Sequence, residues 1–106
     1  MFTLIDFEES PGHSPFRKWY DSLDPQGSAK VSVALERIEL GIHSRIKWFR
    51  GIGEYVLDWG PGYRIYLMTD GTNLIVLLGG GTKSGQQKDI EQALIYAEVY
   101  KARRKT

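Results

Sequence analysis

Hydrophobic and polar positions change their period once along this chain of 106 residues. Phe2–Phe7 alternates, with Phe2 and Leu4 set against Thr3 and Asp6, and this predicts a strand. Glu8–His13 contains Pro11 and Gly12 and reads as a connection. Ser14-Pro15 is an N-cap followed by proline at the first helical position. It opens a short helix carrying Phe16, Trp19, Tyr20 and Leu23. Asp24-Pro25 repeats the signal and starts a second helix ending near Leu40, with Gly41 as its stop. Val31, Ala34, Leu35, Ile38 and Ile42 fall on one face of it at helical spacing. Residues 14 to 41 therefore predict a helical hairpin with one apolar side.

Beyond Gly41 the period becomes two. Tyr55, Leu57 and Trp59 alternate with Glu54, Val56 and Asp58. Gly60-Pro61-Gly62 is a turn, and Tyr63–Thr69 is a second alternating strand. Asp70-Gly71 is a hairpin signal leading to Leu74–Leu78, an apolar run expected of a strand covered on both faces. Gly79-Gly80-Gly81 breaks that run. Ser84 and Gln87 have capping-box spacing before a last helix from about 85 to 102, with Ile90, Leu94, Ala97 and Lys101 on one side. The expected fold class is α+β: an N-terminal strand, a helical hairpin, an antiparallel three-stranded meander and a C-terminal helix.

The length fits one domain, residues 1–106, with no linker or repeat. Hydrophobic residues at 42% and charged residues at 25% exclude a disordered chain. No apolar run approaches the ~20 residues of a membrane helix, and Asp6, Glu8 and Glu9 interrupt any secretory leader. With no cysteine, thiolate catalysis and thiolate zinc sites are excluded, and a reducing, cytoplasmic setting is expected. Charge is divided unevenly. Residues 1–44 carry four basic and seven acidic groups; residues 45–106 carry ten basic and six acidic. Lys101, Arg103, Arg104 and Lys105 form the densest basic patch. They are candidate RNA contacts, although cations at a helix C-terminus also complement its dipole.

Three features were candidates for chemistry. His13 and His43 stand apart, without the converging ligands of a metal site, so no metal or cofactor is expected. Gly79–Ser84 lacks phosphate-loop spacing but sets Lys83 beside a helix start. Glu54 and Arg64 are charged positions in otherwise apolar strands. Pairing across the Gly60–Gly62 turn puts Arg64 on the sheet face of Asp58, Val56 and Glu54. With Lys47 and Lys83 this makes a concave polar surface; the same residues also suit an ordinary solvated sheet face.

Lys47-Trp48-Phe49, Gly53-Glu54-Tyr55, Asp58–Tyr66, Leu77–Gln86, Asp89-Ile90 and Ala93 follow one another in order. This series resembles the RelE/ParE toxin superfamily of toxin–antitoxin systems, and within it the HigB-like addiction-module killer proteins. The resemblance spans about Phe16 to Ala97. It implies a curved antiparallel sheet backed by the helical hairpin, with the other sheet face and the last helix as the working surface. RelE-like members cleave messenger RNA in the ribosomal A site without metal, using the RNA's own 2′-hydroxyl as nucleophile. Arg64 matches the family's phosphate-binding arginine. Lys83 matches the lysine after the glycine-rich strand end, and Lys47 a lysine preceding the second strand. Glu54 matches an acidic position able to act as base or to orient Arg64. Val56 stands where the family has arginine, and the C-terminal tyrosine or histidine has no clear match, Ile90 or Gln86 lying there.

The function so implied is that of a type II toxin, a metal-independent messenger-RNA endoribonuclease that inhibits translation. Its expected partners are messenger RNA, the ribosome and a cognate antitoxin, a small helix-turn-helix protein from an adjacent reading frame, with no membrane. Two alternatives stay open: a ParE-type inhibitor that binds DNA gyrase, and a detoxified antitoxin-binding relic.

Overall fold

The computed structural model describes residues 1–105. The order is β1 (Thr3–Asp6), α1 (Pro15–Asp21), α2 (Pro25–Glu39), β2 (Ile46–Phe49), β3 (Ile52–Val56), β4 (Arg64–Asp70), β5 (Leu74–Gly81) and α3 (Gln86–Arg104). The fold is α+β, built on one five-stranded sheet in the order β1-β5-β4-β3-β2. β2 to β5 pair antiparallel in succession, and β1 joins β5 in parallel.

The meander thus has four strands where the sequence pattern predicts three. Ile46–Phe49 forms the added edge strand. Its four residues are too few for alternation to be legible, and Arg50-Gly51, both at positive φ, turn it tightly into β3. β3 ends at Val56, so Leu57 and Trp59 lie in the connection to β4. The apolar run in β5 lies between β1 and β4 and is buried from Ile75 to Leu78, as a covered central strand requires.

Two cores sandwich the sheet. On one side Phe16, Val31, Ala34 and Ile38 of the hairpin pack on Tyr55, Ile65, Leu67 and Ile75. Ser14 Oγ accepts from Arg17 N at 3.0 Å and Asp24 Oδ1 from Gly27 N at 2.7 Å, so both proline-led helices start on a side-chain cap. On the other side Ala93 and Ala97 of α3 pack on Tyr66, Met68, Val76 and Leu78. The small alanines let α3 lie close to the strands.

The Ser84/Gln87 capping box does not form. A single 3-10 turn, Lys83–Gly85, precedes α3, which has no side-chain cap, and Ser84 Oγ bonds Thr82 Oγ1 instead. Ile42, expected on the apolar face of α2, lies beyond its end and is half exposed. Lys101 is exposed as well. Among the described residues no helix is long and apolar enough to cross a membrane.

Candidate functional site

Glu54 pairs with Tyr66 across β3 and β4, and Val56 with Arg64. Paired residues point to the same sheet face, so Glu54, Tyr66 and Arg64 share the face that α3 covers. Cover by α3 changes the picture drawn from sequence. The expected stripe is divided: Glu54 is 1% exposed and Arg64 is largely covered, while Asp58, in the connection after β3, and Lys47 are exposed.

Three donors converge on its Oε2. Gln86 Nε2 donates at 2.8 Å, Tyr66 Oη donates at 3.2 Å, and Arg64 Nε lies 3.6 Å away as an ion pair. Gln86 opens α3 and brings the helix start onto the sheet. Burial, then the Glu54 charge and hydrogen bond, push the Tyr66 phenol well above its ordinary range. Tyr66 therefore stays protonated and donates. A carboxylate so enclosed holds its neighbours in place; it is not open to a substrate hydroxyl.

Arg64 itself is held at two points. Its Nη1 donates to Gly62 O at 2.6 Å, and Nε faces Glu54. Nη2 has no partner among the described residues and, unlike Nε, is not sealed from solvent. Gly62 makes this arrangement possible. It sits at φ 73°, and a side chain there would lie 3.0 Å from Arg64 Nη1 and 3.3 Å from Lys83 Cβ. The turn is pinned further by Lys83 N donating to Pro61 O at 3.2 Å.

Lys83 thus stands beside Arg64 across the Gly62 turn. Lys47 is exposed on β2 in direct register with Glu54. Val56 is the cross-strand partner of Arg64.

The basic tail lies elsewhere. Gln86 and Arg104 are at opposite ends of α3, ~27 Å apart at 1.5 Å per residue. Arg103 donates to Glu8 O at 2.6 Å and to Glu9 O at 2.8 Å, clasping the segment after β1. Arg104 Nε reaches Asp70 Oδ2 at 2.6 Å, and Lys101 Nζ lies 3.9 Å from Glu98. Lys105 ends the helix in solvent.

Three residues of this region were not singled out as candidates from sequence. Tyr66 carried a signal, being two residues from Arg64 and on the same face. Gln86 carried none, because its partner is 32 positions away. Asp89 was hidden too: its carboxylate occupies the space that a Gly81 side chain would fill. Burial pushes its pKa up, and the neighbouring Lys88 opposes this.

No family model matches the chain. It is 39% identical over 85 residues to an uncharacterized protein of Haemophilus influenzae, an overlap covering 78% of this chain and 86% of that one. At that identity and coverage the chain belongs to the same family as the Haemophilus protein.

Proposed function

We propose that the protein is the toxin of a type II toxin–antitoxin pair, with a RelE-like fold and HigB-like character, that cuts messenger RNA on translating ribosomes. The observation that carries this reading is Arg64: an arginine bonded to Gly62 O and ion-paired with Glu54, its Nη2 without a partner among the described residues and Lys83 across the Gly62 turn. A guanidinium held in this way, its side chain 11% exposed, needs little reorganisation when charge develops on a phosphate.

In the reaction the RNA 2′-hydroxyl gives its proton to water and its oxygen attacks the adjacent phosphorus; the bond to the 5′-oxygen breaks, leaving a 2′,3′-cyclic phosphate and a 5′-hydroxyl protonated from water. Arg64 and Lys83 stabilise the charge on the phosphoryl oxygens. Glu54 is a positioning residue: with Tyr66 and Gln86 it fixes the guanidinium. An antitoxin with an acidic segment laid over Lys47, Lys83 and the start of α3 closes the site by charge and by occupation.

Induction in cells, followed by growth measurement and mapping of messenger-RNA ends, tests this. Growth arrest with new ends inside translated frames is expected. Arrest with intact messenger RNA and inhibited gyrase would replace the proposal with a ParE-type reading. Unimpaired growth would leave an antitoxin-binding relic.

A further inference from the structure

A cleft of about 150 Å³ opens on the α3 face next to Arg64, between β5 and α3. Its floor is Gly79, whose missing side chain would meet nothing within 4 Å. Tyr66, Tyr96, Gln92 and Asp89 line it. It is smaller than the ~300–1,000 Å³ of sites for drug-sized ligands. That leaves room for one planar ring system.

The polar lining is selective. Asp89 is half-buried, and its carboxylate has no hydrogen-bond partner among the described residues. An ionised carboxylate only accepts hydrogen bonds. Among the four RNA bases, guanine alone presents two adjacent donors on its Watson–Crick edge, N1–H and the N2 amino group. A stacking wall is present as well. The Tyr96 ring is held by Phe7, with centroids 5.0 Å apart, and by its hydroxyl donating to Glu9 Oε1 at 2.9 Å. Bases taken out of a stack rest on such rings.

The position suits RNA too. Gly79 pairs with Tyr66, and Gly81 with Arg64. Two residues along β5 separate the cleft floor from the Arg64 row, on the order of 7 Å. One nucleotide bridges that separation. We propose that this cleft is a nucleobase subsite, that it takes guanine through the Asp89 carboxylate, and that it places the neighbouring phosphate at Arg64. The inference rests on the RNA reading of the Arg64 site and names the base that site prefers.

The test is an NMR titration of the intact protein with 5′-GMP, AMP, CMP and UMP at millimolar concentration, following the amides of Gly79, Gly80 and Ala93. GMP is expected to shift them with about tenfold preference over the other three. D89N offers one acceptor and one donor, a pair that the edge of every base can match, so the preference for GMP should be lost. Gly79→Val fills the cleft at a position with space for a side chain and should abolish shifts by all four nucleotides. Absence of shifts, equal shifts by all four, or shifts unchanged in D89N and Gly79→Val would each overturn the subsite. Messenger-RNA end mapping separates this failure from failure of the nuclease reading. Guanine selectivity without cleavage defeats the nuclease alone; cleavage indifferent to D89N and Gly79→Val defeats the subsite alone.

Discussion

Glu54 and Arg64 form an ion pair across the β3–β4 hairpin, with Oε2 3.6 Å from Nε, and α3 seals the carboxylate from water. The pair is offset by two residues, because Glu54 is directly opposite Tyr66 and Arg64 directly opposite Val56. The offset leaves room for Tyr66 and Gln86 to complete the shell around Oε2.

Removing one partner of this pair is expected to cost more than the pair contributes. Glu54→Leu leaves Arg64 uncompensated at a mostly buried position, and a loss of ~3–5 kcal/mol is expected. Glu54→Gln keeps the shape and one acceptor, so a smaller loss of ~1–3 kcal/mol is expected. Urea unfolding of both variants measures the difference. Equal midpoints for Glu54→Leu and the parent chain would show that the pair does not organise this face.

Arg64→Ala destabilises for the same reason, by leaving Glu54 buried and unpaired, and so confuses fold with function. Arg64→Lys keeps the charge and loses the planar fork. It is expected to fold, with midpoints close to the parent, and to lower messenger-RNA cleavage by ~10²–10³. Reporter cleavage on ribosomes is the readout. Undiminished cleavage in Arg64→Lys would remove the arginine from the proposed reaction.

Gly80 is required for packing rather than for turning. The Trp19 ring of α1 lies flat on it, and a methyl group there would run into the ring. Gly80→Ala is expected to cost ~1–3 kcal/mol through displacement of Trp19. Thermal unfolding and the tryptophan fluorescence of the folded state check this. Gly79→Ala, next in sequence but on the opposite sheet face, meets open space and is expected to be close to neutral.

Two aspartates make opposite contributions to the pH dependence of stability. Arg104 and Tyr100 hydrogen-bond Asp70 and hold its carboxyl below the ordinary value. Its contribution is present above about pH 4, the unfolded pKa, and is lost as pH falls through the lower folded value. Asp89 is raised by burial, so the folded state binds its proton more tightly than the unfolded state. Its contribution is present below about pH 4 and is lost as pH rises through the folded value. Asp70→Asn is therefore expected to weaken the last turn of α3 at neutral pH, seen as faster amide exchange at residues 101–105. Asp89→Asn is expected to raise stability at neutral pH relative to the parent and to remove the gain on acidification. The opposite sign in either variant would contradict these assignments.

Proline caps, glycine stops and the change of period at Gly41 determined by themselves where helices and strands lie, because those signals are local. The extents of α1 and α2 and the course of β4 were legible this way, whereas β5 runs on past its apolar stretch through Gly79–Gly81, which the glycines were read as breaking, and α3 starts without the expected cap. The short strand Ile46–Phe49 was not, since its place depends on pairing with Ile52–Tyr55 rather than on its own pattern. Nor was the parallel seat of β1 beside β5, which joins residues about 70 positions apart. Alternation correctly put Glu54 and Arg64 on one sheet face, yet it cannot say what covers that face. The tertiary structure decided this by laying α3 on it through Ala93 and Ala97. That packing turned Glu54 from a surface acid into a buried anchor, brought Gln86 and Asp89 to the strands, and carried Arg103 and Arg104 to the far end. Which polar groups are dry, and therefore which interactions are strong, is set by contacts between distant segments, and no local pattern encodes them.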